Sequence, residues 1–411
     1  MARYVLAYSG GLDTSVILKW LQVNHDAEVV TVTADLGQKR ELLGLEEKAV
    51  ASGACRVFLD DLRAEFVADY LWPALKAGAL YQGVYPLATA LGRPLIAKRL
   101  VEVAREVGAD AVVHGCTGKG NDQVRLEVSV AALAPELRCL APLREWEMKT
   151  RAEEIAWARR HGIQVAATRD SPYSIDENLW GVAIECGVLE DPWAAPPEDC
   201  WQITASPESA PDASGEIVLS FKEGVPVALD DERMDGPALI ARLNEIAGAH
   251  GVGRLDIVED RLVGIKSREV YEAPAAVTLH AAREALEQIT LDRETRRIKA
   301  EMGQQLARLI YDGVWFSPLR ASIQAFVEEA SRSVTGEVRV SLFKGKATPS
   351  GRRSPCSLYE PSLATYGEGD AFSHTSAAGF IDLFGLGVRT ANAVARRQAS
   401  RRPRSLASAS R

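Results

Sequence analysis

A chain of 411 residues with 47% hydrophobic and 25% charged side chains has an ordinary globular composition and room for two or three domains. No apolar run approaches the roughly 20 residues of a membrane-spanning helix, and the N-terminal MARYVLAYSGGLDTS lacks the cleavage site of a secretory leader. A net charge of −8 excludes a body that binds nucleic acid by charge alone, and six cysteines without a CxxC pair argue for reduced thiols in a cytoplasmic protein rather than a zinc site.

From residue 1 to about 165, valine-rich runs alternate with longer periodic segments. The runs Tyr4–Tyr8, Glu28–Asp35, Arg56–Asp60 and Ala111–Gly115 read as strands. Between them Val16–Val23, Leu42–Ser52 and Leu95–Val107 repeat apolar residues at three- and four-residue intervals, as helices do. Such alternation predicts a parallel sheet covered by helices on its faces.

A further helix is expected to open at Thr150, where Thr-Arg-Ala-Glu153 has the pattern of a capping box, and to close near His161-Gly162. Proline and acidic residues between Asp191 and Ser214 mark loops. Beyond them Ile217–Phe221 with Val225–Leu229, and Leu255–Val258 with Leu262–Ile265, read as two hairpins. Helical patterns follow at Pro237–Ala249 and from about Ala275 to Asp312, so the second half is α+β with antiparallel pairing. The arginine-rich stretch 391–411 reads as a solvated, disordered tail, with an arm for RNA or another partner as the alternative.

The strongest chemical signal is SGGLDTS, Ser9–Ser15, between the first strand and the first helix. Gly10 and Gly11 let backbone amides close on phosphate oxygens, Ser9, Thr14 and Ser15 offer hydroxyls, and the helix start adds partial positive charge. Asp13 would repel a bare phosphate, which points to ATP carried with Mg2+. Neither GxxxxGK[ST] nor GxGxxG is present.

The string resembles the pyrophosphate loop of the N-type ATP pyrophosphatases, the group of GMP synthetase, NAD synthetase and asparagine synthetase. Later segments resemble the argininosuccinate synthases over roughly residues 3 to 390: TADLGQ from Thr33, HGCTGKGNDQVRLE from His114, YSIDENLWG from Tyr173, FKEGVPVALD from Phe221, GRLDIVEDRLVGIKSR from Gly253 and WFSP from Trp315.

The resemblance implies an α/β nucleotide-binding domain of the adenine nucleotide alpha hydrolase-like kind (1–165), an α+β synthetase domain (166–360), a C-terminal oligomerisation segment (361–390) and a homotetramer, the tail (391–411) lying outside it. It implies a cytoplasmic ligase that joins citrulline and aspartate into argininosuccinate, splitting ATP to AMP and pyrophosphate. ATP would lie on Ala7, Tyr8, Ser9, Gly10, Gly11, Leu12, Asp13, Thr14 and Ser15, with Ala34 and Gly115 around the nucleotide. Aspartate would be held by Thr117, Asn121 and Asp122, and citrulline by Tyr85, Asn121, Arg125, Ser174, Glu259 and Tyr271. Asp122 is the candidate for orienting or deprotonating the attacking amine, and Asp13 for meeting the magnesium ion. Without the resemblance, TGKGND would read as a surface turn, and Tyr85 and Tyr271 as aromatics at the edge of the core.

The chain departs from the family pattern around the acceptor. Val182-Ala183 stands where the family has Arg-Ser, whose serine is a citrulline ligand. Leu87-Ala88-Thr89 replaces Leu-Gly-Thr, Asp260 replaces asparagine, and Glu269 replaces a glycine, which adds charge and, if that glycine has positive φ, backbone strain. These changes define two alternatives to citrulline ligation: a ligase acting on a different ureido or carbonyl acceptor, and a catalytically idle binding relative.

Overall fold

The computed structural model describes residues 1–38, 42–148, 150–163 and 172–401. The chain divides into two compact units, Met1–Leu358 and Tyr359–Arg411.

In the first unit, strands β1 (Ala2–Ala7), β2 (Ala27–Asp35), β3 (Arg56–Asp61), β4 (Ala111–Val113) and β5 (Arg138–Leu140) form a parallel sheet in the order β3-β2-β1-β4-β5. The valine runs have no polar side because helices cover both faces. Val5, Val30, Val32 and Val112 pack against Leu100, Val101 and Ala104 of the helix Ala88–Val107 and Leu126 and Val130 of the helix Asp122–Leu133. Leu6 and Val29 face the opposite way, onto Ile17, Leu18 and Leu21 of the helix Leu12–His25 and Trp157 of the helix Arg151–Arg160. Each such buried side chain contributes about 1.5–3 kcal/mol relative to exposure, before the entropy of ordering is counted. The strand order reverses beside β1, and this leaves a crevice at the carboxyl ends of β1, β2 and β4.

Two antiparallel sheets complete the unit. β6 (Ser174–Asn178), β7 (Gly181–Glu185), β11 (Arg254–Asp260) and β12 (Lys266–Glu272) are ordered β11-β12-β7-β6. β8 (Gly215–Lys222), β9 (Val225–Leu229), β10 (Glu232–Arg233), β13 (Gly336–Phe343) and β14 (Lys346–Arg353) are ordered β10-β9-β8-β13-β14. Trp180, fully buried after β6, donates its indole N–H to the Pro86 carbonyl at 2.9 Å, and Leu179 N–H reaches the Leu36 carbonyl at 2.8 Å. These bonds tie the β6–β7 hairpin to the parallel-sheet layer.

The Thr150 capping box forms as expected, and the first hairpin is β8–β9. The second hairpin is shifted. Leu262–Ile265 is its turn, closed by Arg261 N–H to the Ile265 carbonyl at 2.9 Å with Gly264 at φ +85°, and the return strand starts at Lys266. Asn121 draws off the Leu262 amide at 2.9 Å and β12 pairs with β11 from Lys266 onward, so of the apolar residues in the turn Leu262 packs against the core while Val263 and Ile265 are exposed. The stretch from Ala275 is two helices, Pro274–Thr290 and Arg293–Tyr311, separated because Asp292 caps the second through the amides of Glu294 and Thr295. The boundary expected at 165/166 lies in 164–171, outside the described residues.

In the second unit, a short helix Pro361–Ala364 precedes helices His374–Phe384 and Leu386–Arg401. The helix to Arg401 corrects the reading of 391–401 as disordered. Alanine and arginine are strong helix formers, and four alanines in Ala391–Ala399 favour continuing the turn despite sparse apolar side chains. Residues 402–411 lie outside the described residues.

Candidate functional site

A cavity of about 510 Å³ opens at the carboxyl ends of β1, β2 and β4 and is closed on its far side by the β6–β7 and β11–β12 hairpins. Ala7, Tyr8, Ser9, Thr14, Ala34 and Gly115 line one end; Tyr85, Thr117, Asn121, Asp122, Arg125, Ser174, Glu259 and Tyr271 line the rest. Gly10, Gly11, Leu12, Asp13 and Ser15 do not face this cavity themselves; they form the loop and first turn beside it.

The loop is held mostly by its own hydroxyls. Ser9 and Thr14 Oγ atoms are 3.3 Å apart, Ser15 Oγ donates to the Gly11 carbonyl at 2.9 Å, and the Tyr8 hydroxyl lies 3.1 Å from Ser15 Oγ. Gly10 has φ +72°, a left-handed conformation, and its carbonyl accepts from Lys48. A Cβ on Gly115 would meet Ile17 and Thr14 at 3.1 and 3.3 Å, so a small residue keeps β4 close to the loop. The helix beginning after Gly11 has no side-chain cap, whereas those at Thr150, Asp235, Asp292 and Ser317 do. First-turn amides without a side-chain acceptor suit an anion from solution.

Beside the loop, the carboxyls of Asp13 and Glu154 are hydrogen-bonded to each other. Burial first, and then the charge of Asp13, pushes Glu154 up to about 7. Two adjacent carboxyl groups next to an anion loop are a donor set suited to a hard divalent cation.

At the centre, Asp122 lies between two arginines. Oδ2 accepts from Arg93 Nε at 2.9 Å and Oδ1 from Arg125 Nη1 at 2.8 Å. Burial works against its charge, but the two guanidiniums outweigh burial and hold the carboxyl at about 2. Arg93 also pairs with Asp176 of β6, whose carboxyl moves upward because burial and the charge of Asp122 exceed what Arg93 supplies. Arg125 Nε donates to the Tyr311 carbonyl at 2.9 Å, and its guanidinium stands 4.8 Å from the centre of the Tyr311 ring. Burial pushes the Cys116 thiol up to about 12, which removes it as a thiolate nucleophile.

The far end is organised by Glu259, 3% exposed. It accepts from the Tyr271 hydroxyl at 2.8 Å and the Tyr311 hydroxyl at 2.6 Å, and Tyr311 in turn receives the Asn121 amide at 2.9 Å. Tyr271 stacks on Tyr85 at 3.9 Å and Tyr311 on Tyr81 at 3.6 Å. Glu269 sits in β12 opposite Ile257 and outside the positive-φ region, so the backbone strain expected there is absent. Its carboxyl meets Arg261 at 2.6 Å and the Ser267 hydroxyl at 3.0 Å. Ala183 pairs with Tyr271 and lines the cavity, while Val182 packs into a separate apolar cluster.

Sequence reading therefore assembled residues that the fold brings together, but it missed Arg93, Asp176, Glu185, Arg261, Tyr311 and Glu154. Arg93 carried a signal, an arginine within the otherwise apolar TALGRPLIA stretch. The others become visible only when segments distant in sequence come together.

The comparisons agree with the geometry. A family model for the arginosuccinate synthase N-terminal HUP domain matches residues 3–164, and one for the arginosuccinate synthase C-terminal domain matches residues 173–391. The argininosuccinate synthase of Pelodictyon phaeoclathratiforme is 58% identical over 388 residues, covering 94% of this chain and 97% of that protein. Those of Chlorobium chlorochromatii (57%, covering 95% and 98%) and Chlorobaculum tepidum (58%, covering 94% and 97%) are similarly alike. With both halves matched and more than half of all positions identical, the chain belongs to the argininosuccinate synthase family.

Proposed function

We propose that this ATP-dependent ligase condenses citrulline with aspartate, forming argininosuccinate, AMP and pyrophosphate through a citrullyl-adenylate. The observation that carries the reading is the continuity of one cavity from the uncapped Ser9–Ser15 loop, past Asp122, to Glu259. Ala7–Ser15 with Ala34 and Gly115 hold the nucleotide, Thr117, Asn121 and Asp122 the aspartate, and Tyr85, Asn121, Arg125, Ser174, Glu259 and Tyr271 the citrulline. The citrulline ureido oxygen attacks the α-phosphorus and pyrophosphate leaves; the aspartate amine then displaces AMP. No side-chain nucleophile is needed, so catalysis rests on positioning and on charge stabilisation.

A carboxyl held at about 2 is a weak proton acceptor, and Asp122 Oδ1 keeps a lone pair beyond its bond to Arg125. Asp122 therefore binds and orients the aspartate ammonium rather than taking its proton. Asp13 and Glu154 would hold Mg2+, which when bound neutralises charge on the leaving phosphates. In the second unit, Phe380, Ile381, Leu383 and Phe384 are exposed on one helix, an apolar surface that supports the proposed homotetramer. Reduced cysteines fit the proposed cytoplasmic location.

The test is pyrophosphate release from ATP, magnesium and aspartate with and without citrulline, with mass analysis of the product. Release that requires citrulline and yields argininosuccinate is expected. Nucleotide binding without citrulline-dependent release would overturn the choice of acceptor.

A further inference from the structure

Across the cavity face of the β6–β7–β12–β11 sheet, Glu185 ends β7 and Glu269 stands on β12 one step beyond the paired Ile184 and Val270. Both carboxylates bond the same Arg261 Nη2, Glu269 at 2.6 Å, and all three residues line the cavity. Two carboxyl groups crowded on adjacent strands around one partly buried arginine are a poor way to gain stability when apolar residues would serve. The cluster has a geometric consequence instead. Arg261 is the first residue of the turn Arg261–Ile265, and Leu262, next to it, gives its amide to Asn121 Oδ1. The Asn121 amide then donates to the Tyr311 hydroxyl, and Tyr311 donates to Glu259.

We propose that Glu269 is a positioning residue for the acceptor end of the site: with Glu185 it clamps Arg261, and through Arg261 it fixes the turn that aligns Asn121, Tyr311 and Glu259. The assignment of Glu259 to the acceptor's ammonium rests on the function proposed above; the clamp itself does not. Glu269→Ala leaves Arg261 with one partner and a looser turn, whereas Glu269→Gln keeps a hydrogen bond.

Steady-state kinetics on the full-length enzyme test the acceptor part. Glu269→Ala is expected to raise the citrulline KM about 5- to 20-fold, the scale of one hydrogen bond, with the ATP KM within about twofold and Glu269→Gln intermediate. Combined with Arg261→Met, Glu269→Ala should add little, because both changes disable one clamp. Hydrogen exchange over residues 259–266 tests the clamp independently of any substrate, and Glu269→Ala should speed it. Unchanged exchange, an unchanged citrulline KM, or full multiplication of the two effects would overturn the inference. If the wild-type enzyme releases no pyrophosphate with citrulline, the functional reading fails, while the exchange result still decides the clamp.

Discussion

At its nucleotide end the cavity is built from backbone and hydroxyl groups: a glycine in the left-handed region, an uncapped helix start, and Ser9, Thr14 and Ser15 bonded among themselves or to the Gly11 carbonyl. At its acceptor end it is built from paired charges and stacked tyrosines drawn from β6, β7, β11, β12 and three helices. A phosphate is recognised wherever amides converge, so one short string of residues suffices. An amphoteric amino acid needs opposite charges set a fixed distance apart, and a protein must neutralise those charges before the substrate arrives. The departures expected from the family resemblance fall in the second region, where Ala183 faces the cavity, Asp260 bonds Gln82 and Lys266, and Glu269 bonds Arg261.

The largest effect is expected where the two regions meet. Asp122→Ala leaves Arg93 and Arg125 facing each other without their shared anion, a loss of about 3–5 kcal/mol. Aspartate-dependent turnover should fall at least about 100-fold. Pyrophosphate exchange into ATP with citrulline measures adenylation separately. A variant that kept both adenylation and aspartate-dependent turnover would remove Asp122 from the site.

A change confined to the nucleotide end should be milder and should spare the acceptor. Gly10→Ala places a side chain at φ +72° with its Cβ 2.4 Å from Leu45 Cδ1. The side-chain end of Leu45 can swing aside, but the left-handed backbone opposes alanine by about 1–2 kcal/mol. Calorimetric affinity for a non-hydrolysable ATP analogue should drop about tenfold, with the citrulline KM at saturating ATP little altered. Equal damage to both would mean that the loop and the acceptor end are mechanically coupled.

The acceptor end should respond to pH through Glu269. Burial and the charge of Glu185 raise its carboxyl to about 8 from an ordinary value near 4.5. The folded state therefore binds a proton more tightly than the unfolded chain does. The resulting stabilisation is complete below about 4.5 and is lost as pH rises through about 8. Thermal melts across that window should fall more steeply for the wild type than for Glu269→Gln, and parallel curves would mean that Glu269 keeps its charge throughout.

The same division explains what sequence could and could not reveal. Four strands of the parallel sheet were legible because their apolar, valine-bearing runs are set between helical segments, whereas the three-residue β5 carries no such run, and Ser9–Ser15 was legible because glycine and hydroxyl residues act where they stand in the chain. The β11–β12 turn was misplaced because Leu262 and Ile265 look like strand residues, while the bond that pins the turn comes from Asn121, 141 positions earlier. Tyr311 was invisible as a site residue because, on its own helix, it reads only as a core aromatic; its hydroxyl gains a role when Glu259 and Asn121 arrive from elsewhere. Glu269 looked like damage because the arginine that bonds its carboxyl lies across a turn.

The smallest effect sharpens the question of the acceptor. Ala183 pairs with Tyr271 on one side and Asp176 on the other, on the cavity face where a serine hydroxyl would point toward the acceptor. The side chain is only partly buried, so a hydroxyl fits without repacking the core. One added hydrogen bond to an α-amino acid is worth about 0.5–1.5 kcal/mol, so Ala183→Ser should lower the citrulline KM by roughly two- to tenfold and leave kcat unchanged. A lowered KM identifies Ala183 as a missing citrulline contact that the rest of the pocket tolerates. A raised KM would mean that the ions around Glu269 have reshaped this face for an acceptor that excludes the hydroxyl, and the search for substrate would then turn to other ureido or carbonyl compounds.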